Sequence, residues 1–198
     1  MKKIIYIFLF LLSGTMQAQE DYMLYKADTL QSKIFWKCDK HDGIIKLKTG
    51  GWIVDQDKNI VAGRFYVDMH SIKDLDMDPK QFGTAVLIFE NTLKNEFFEA
   101  DKFPLAVFDL QEIKKTDDKH YELTGDFTLH GITNCITFKA EIKFEKGALI
   151  LKSEKFTIDR TDWGVYRMSP KRPYQDDENG WTVPDEIELH LEIKTLKD

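Results

Sequence analysis

The 198-residue chain has only two cysteines, Cys38 and Cys135, and five prolines. Two thiols cannot build a disulfide-held scaffold, and so few prolines exclude an extended proline-rich spacer. Basic character is short as well: 28 Lys and Arg face 34 Asp and Glu, a net charge of -6. That balance argues against binding nucleic acid or an anionic lipid surface through charge. Long apolar runs are missing apart from residues 4–12, which fall short of the roughly 20 residues a helix needs to cross a bilayer. No fixed repeat and no low-complexity linker divides the chain, so one domain is expected. Phenylalanine, by contrast, is plentiful, with 14 in a chain that is 31% charged. So many rings require an interior to receive them.

The run at 4–12 follows Lys2 and Lys3 and leads through Ser13, Gly14 and Thr15 to Gln17-Ala18-Gln19. A basic start, a short apolar core and a small residue at its end form an export signal, with cleavage expected after Ala18. The expected organisation is a signal peptide over 1–18 and one domain over 19–198, periplasmic or secreted. Loss of Lys2 and Lys3 takes the net charge from -6 to -8. No cysteine precedes Cys38 to receive a lipid, so no stable membrane anchor is expected after cleavage. The compartment permits a Cys38–Cys135 bridge. The alternative is that each is a small buried apolar residue, since Cys38 shares the parity of Ile34 and Trp36 and Cys135 adjoins Ile136.

Period two dominates the rest. Tyr121, Leu123, Gly125, Phe127 and Leu129 alternate with polar residues, as do Ile136, Phe138, Ala140, Ile142 and Phe144, and again Ile187, Leu189, Leu191 and Ile193. One apolar and one solvated face mark antiparallel strands. Weaker alternation runs through 34–38, 44–48, 52–55, 61–69, 105–113 and 148–158. Polar turns of hairpin length at 55–59, 116–119 and Lys146-Gly147 separate the runs. Some eight or nine strands joined to their neighbours make an all-β up-and-down barrel or a sandwich.

Two stretches break the period. Asp78-Pro79 offers a cap and a first-turn proline, and Phe82, Val86, Phe89 and Leu93 recur at helical spacing, so one α-helix is expected over 79–93. It either plugs an open barrel end or covers a ligand mouth. The second stretch, 164–185, holds Pro170, Pro173 and Pro184, the acidic run Asp176-Asp177-Glu178, and Tyr166, Tyr174 and Trp181. Loops of this length are often functional. Its rings either line an entrance or fasten the loop to the wall.

Parity turns Trp36, Phe65, Val67, Phe108, Phe127, Leu129, Phe138, Ile142, Leu189 and Leu191 inward. An eight-stranded barrel is either filled by such side chains or holds one small ligand. Gly63, Gly125 and Ala140 share the inward parity and are expected to leave space. The histidines offer little chemistry. His190 lies on an acidic, solvated strand face. His130 shares parity with Asp126, which suggests a proton relay, although its Leu-His-Gly turn favours a structural role. His41, His70 and His120 sit in or beside polar turns without metal-ligand spacing, so no metal site and no catalytic set are expected.

The segments NTLKNEFFEADKFPLAVF at 91–108, GDFTLHGIT at 125–133, FTIDRTDWG at 156–164, Gly63-Arg64-Phe65 and Asp68-Met69-His70-Ser71-Ile72 form an ordered set of motifs. Taken together they resemble the YceI-like polyisoprenoid-binding family. They cover about residues 22–195 in the family's order. Cys135 stands where the family often has proline, and the helix over 83–91 is unusually apolar. The resemblance implies an exported, hollow, lipocalin-like antiparallel barrel of about eight strands with one inserted helix. It implies no enzyme activity and no cofactor beyond a bound isoprenoid lipid, isoprenoid quinone or similar long amphiphile. The inward residues, with Phe89, Leu93 and Phe97 at the mouth, would contact that ligand. The alternatives are a filled barrel acting as a structural or partner protein, and an enzyme on a small amphiphile using His130 and Asp126.

Overall fold

The computed structural model describes residues 21–172 and 180–198. The expected signal segment, Pro173, Tyr174 and the run Asp176-Asp177-Glu178 lie outside the described residues. Among the described residues, ten antiparallel strands follow in chain order: β1 (Met23–Ala27), β2 (Lys33–Cys38), β3 (His41–Val54), β4 (Ile60–Asp74), β5 (Leu105–Lys115), β6 (His120–Leu129), β7 (Ile132–Glu145), β8 (Ala148–Ser153), β9 (Phe156–Asp159) and β10 (Glu186–Lys197). They fill eight positions around a closed barrel. The last strand makes the closure. Its first half lies between β2 and β9, and its second half between β1 and β8. Pairing of this strand on both sides closes the sheet on itself.

The expected alternation holds along the long strands. Phe65, Val67 and Met69 point inward on β4, Leu123, Gly125 and Leu129 on β6, and Ile187, Leu189 and Ile193 on β10, with charged and polar neighbours outside. Charges on the outer face are the reverse of a lipid-facing barrel. No helix among the described residues is long and apolar enough to cross a membrane.

Four local readings are corrected. First, β1 was not expected, because its alternation is only five residues long; Tyr25 nevertheless turns inward and meets Phe144 edge-on at 5.8 Å. Second, the runs at 44–48 and 52–55 are one strand. Gly50 has φ 146, and a Cβ there would lie 2.7 Å from the Phe65 backbone. These glycines let β3 bend against β4, beside register shifts at Ile44/Lys46 and Leu47/Thr49, rather than ending it. Third, the run at 148–158 is two strands. Inward residues change from Leu149 and Leu151 to Phe156 and Ile158, and a change of parity requires an irregularity, which falls at residues 154–155. Fourth, the cysteines are free: Cys135 is exposed, opposite Asp126 on the outer face, and Cys38 is half-buried.

Between β4 and β5 the chain makes α1 (Pro79–Phe82), α2 (Thr84–Thr92) and a π-helical turn, Leu93–Phe97. Asp78 caps α1 by accepting the Lys80 N–H at 2.9 Å, as its position predicts. The single helix over 79–93 is broken at Gly83, whose φ of 56 suits glycine. Phe82, on the far side of that break, is therefore 44% exposed and not part of the covering stripe. Val86 is buried, Phe89 and Leu93 pack against the core, and the wider π turn carries Phe97 in beside them.

Candidate functional site

The barrel is hollow. A cavity of about 430 Å³ runs inside it, walled by side chains from the strands and covered by Phe89, Leu93 and Phe97. Its size falls in the range of small-molecule sites. At roughly 30 Å³ for each water-sized group, it takes about 14 carbon-sized groups, close to three five-carbon units.

The residues expected inside are on the wall with one exception. Trp36, Phe65, Val67, Phe108, Phe127, Leu129, Phe138, Leu189 and Leu191 all line the cavity. Ile142 is the exception: it is buried in the core but does not reach the cavity wall. Ile136, Leu47, Trp52 and Met69 line it as well. Met69 shares the strand parity of Phe65 and Val67, and Ile136 that of Phe138, which was the signal available for them; Leu47 and Trp52 have opposite parities on β3, on either side of its bend at Gly50, and parity gave no signal for them.

The inward glycines do not leave gaps. A Cβ on Gly63 would lie 2.1 Å from the Trp52 ring, one on Gly125 would lie 2.5 Å from the Phe108 ring, and one on Gly43 would lie 2.6 Å from the Trp36 ring. Each ring therefore lies down over a glycine on a neighbouring strand, as in the aromatic rescue of strand glycines. Rings held flat against the wall line the lumen instead of crossing it. Further ring pairs extend this lining: Phe108 with Phe138 at 5.6 Å, and Phe138 stacked on Phe156 at 5.0 Å.

Polar groups gather at one end. Cys38, Asp39, His41, Thr92, Arg160 and Thr182 border the cavity where the β2–β3 turn, α2 and the loop before β10 meet. Arg160 follows β9 and is almost wholly buried. It donates to the carbonyls of Val165 at 2.6 Å, Val183 at 3.0 Å and Pro184 at 3.2 Å, and pairs with Asp185 at 3.2 Å. It thus ties both arms of the long loop together, and its guanidinium lies 5.6 Å from the centre of the Phe97 ring. Trp181 borders the cavity; Tyr166 does not, and instead sits under Arg172 at 3.8 Å. Cys38 has its Sγ 3.5 Å from the Pro184 carbonyl. Burial pushes its thiol up, against the pull of Arg160.

His130 is placed differently from expectation. With φ 51, followed by Gly131 at φ 76, it forms the two-residue turn between β6 and β7. A turn residue no longer follows strand parity, so it does not meet Asp126. Its Nε2 lies 2.5 Å from Glu99 Oε2, and its ring packs on Phe103 at 4.4 Å. Asp126 instead accepts from Gln111 at 2.9 Å on the outer face. The His130–Asp126 relay is thereby excluded. His130, Glu96, Glu99, Arg167 and Arg172 border a separate polar cleft outside the π turn.

His41 is the residue that spacing missed. It lines the cavity, packs on Phe89 at 4.3 Å and lies beside Asp74 and Asp76. Asp74 is pushed above the ordinary carboxylate range by burial and then by Asp76. Asp76 is itself partly desolvated, yet the neighbouring Asp74 side chain and hydrogen bonds from the Asp42 N–H and with His41 hold it below that range. Only the pairing of β3 with β4 brings these residues together; the sole sequence trace is the Asp74-Leu75-Asp76 doublet.

An up-and-down barrel around an apolar lumen with a polar mouth is the architecture of a hollow, ligand-sized antiparallel barrel. The YceI-like domain model matches residues 25–195, and the chain belongs to that family. It is 42% identical to a UPF0312 protein of Pseudomonas putida over 50 residues, 25% of this chain and 26% of that one. With a UPF0312 protein of Pseudomonas fluorescens the identity is 32% over 80 residues, 38% of this chain and 42% of that one. These matches thus span between a quarter and half of the curated relatives' length. Among solved structures, BcnA of Burkholderia cenocepacia aligns with a TM-score of 0.63 at 16% identity, covering 85% of this chain and 98% of that one. A polyisoprenoid binding domain from Saccharophagus degradans aligns with a TM-score of 0.59 at 11% identity, covering 91% and 100%. Both likenesses are of fold.

Proposed function

We propose that the protein is an exported carrier for a polyisoprenoid, isoprenoid quinone or similar long amphiphile, with the tail in the lumen and the polar head at the mouth. The hollow apolar lumen carries this reading. Around a lumen of about 430 Å³ the apolar lining side chains lack packing partners on one side. An apolar tail restores those contacts. Each isoprene unit contributes roughly 4 kcal/mol on leaving water, at about 0.8 kcal/mol per carbon. Two or three units then offset an association cost of roughly 4 to 15 kcal/mol.

A tail drawn from a membrane gains little by transfer, because it is already in hydrocarbon. Selection then falls to the polar mouth, so tail length is tolerated and the head group discriminates. The family of the chain and the ligand class named for the Saccharophagus domain support the choice of isoprenoid. The basic and apolar start of the sequence supports export. Binding and transfer require no reaction, and no catalytic role is assigned.

Native mass spectrometry of protein purified from its own host tests the reading. The expected result is a complex carrying the mass of one isoprenoid lipid. Repeated recovery of ligand-free protein, with no uptake of isoprenoid quinones in vitro, overturns it.

A further inference from the structure

Behind the mouth, three side chains that are distant in sequence converge. His41 opens β3 and Asp74 ends β4, and the register sets Gly43 opposite Asp74. The chain then folds back, with the Leu75 N–H donating to the Asp42 carbonyl at 2.9 Å, and this returns Asp76 to the same place. His41 Nδ1 lies 3.4 Å from Asp74 Oδ2 and 3.3 Å from Asp76 Oδ1. All three groups offer ligand atoms within 4.8 Å of one another.

The backbone orients both carboxylates. The Met77 N–H donates to Asp74 Oδ1 at 2.8 Å, and the Asp42 N–H to Asp76 Oδ1 at 3.2 Å. Such outer contacts are what fix metal ligands in place. The other oxygen of Asp74 is the anomaly. Its side chain is 0% exposed, and Oδ2 has no hydrogen-bond partner among the described residues. A buried acceptor left in this way requires an explanation. Among the described residues, neither Asp74 nor Asp76 pairs with a lysine or arginine; His41 is their ion-pair partner.

The distances supply the explanation. A tetrahedral ion with N and O ligands at 2.0–2.2 Å has ligand-to-ligand edges of about 3.3–3.6 Å. The two His41–carboxylate separations fall on that edge length. One imidazole and two carboxylates suit a borderline ion such as Zn(II), with water completing the shell. We propose that His41, Asp74 and Asp76 form a binding site for a divalent transition-metal ion at the barrel mouth. The ion would lock the start of β3 to the end of β4 and fix the His41 ring on which Phe89 of α2 packs. Metal would then stiffen the cover of the lumen. This goes beyond the carrier reading and does not depend on it.

The test is Zn(II) titration of chelator-stripped protein in competition with a chromogenic indicator, on lipid-free and lipid-loaded samples separately. The expected result is one Zn(II) per chain in both samples. His41→Ala, Asp74→Asn and Asp76→Asn should each weaken binding at least tenfold. Asp117→Asn, at the separate His120–Asp117 contact, should leave it unchanged. Asp76 is partly exposed, so Asp76→Asn keeps the test decisive even where Asp74→Asn fails to fold. Absence of stoichiometric uptake, or uptake unaffected by Asp76→Asn and His41→Ala in folded protein, overturns the proposal. Either outcome leaves the mass-spectrometric test of lipid binding untouched.

Discussion

The two ends of the barrel are closed by different means. At the base, Val54, Leu123 and Leu149 are fully buried, and Trp52 meets Phe65 at 4.6 Å. Strand alternation and aromatic rings suffice there. At the mouth, closure depends on pieces outside the strand pattern: α2, the π turn, and a loop gathered around one buried guanidinium. The base therefore behaves as packed core that also floors the lumen, whereas the mouth combines stability with access. Apolar burial is non-directional and holds the tail, while the directional contacts sit where a head group would arrive.

The largest effect that would break this contrast is expected at Arg160. Arg160→Met leaves the Asp185 carboxylate and three carbonyls without their donor, so a loss of about 3–5 kcal/mol is expected. Urea unfolding measures it, and a loss below 1 kcal/mol would mean that the loop is held by other contacts. Next comes the base. Gly63→Val places a Cβ where the Trp52 ring lies, and displacement of that ring should destabilise by about 1–3 kcal/mol. The same ring, driven off the wall, should also reduce uptake of a fluorescent isoprenoid analogue.

A smaller effect on stability, with a larger one on rate, is expected at Phe89. Its ring is half-buried between His41 and the lumen, so Phe89→Ala should cost less than about 1.5 kcal/mol. Release of the same analogue in stopped flow should accelerate several-fold; unchanged release would show that α2 is not the gate. The smallest effect concerns charge. Backbone N–H groups of Lys119 and His120 hold the exposed Asp117 carboxylate at about 2, below its ordinary 3.8. At the mouth, burial opposes ionisation of Asp159, but Lys171 and Thr161 prevail and hold it low as well. A carboxylate depressed in the folded state stabilises above its unfolded value and loses that contribution as pH falls through its folded one. Urea midpoints should therefore decline between about pH 4 and pH 2, and less steeply in Asp117→Asn; equal slopes would show that this turn contributes nothing.

Much of the barrel was legible in the chain. Alternation at 121–129, 136–144 and 187–193 predicts β6, β7 and β10 with their inward faces, because a half-buried strand imposes period two on its residues. The Asp78-Pro79 start of the helical cover was equally visible. Illegible were the short strand at Met23–Ala27, the continuity of β3 through Gly50 and Gly51, and the break at Gly83. In each case a glycine or a short run carries no local statement of what it packs against.

The sequence by itself therefore determined strand faces, the polar exterior and an interior rich in aromatic rings. Whether those rings fill that interior or line it was decided by tertiary structure alone. Parity states which way a side chain points, whereas the room left depends on rings from adjacent strands lying down over Gly43, Gly63 and Gly125. The same holds for His41, Asp74 and Asp76, which become neighbours only through the pairing of β3 with β4 and the turn that follows it.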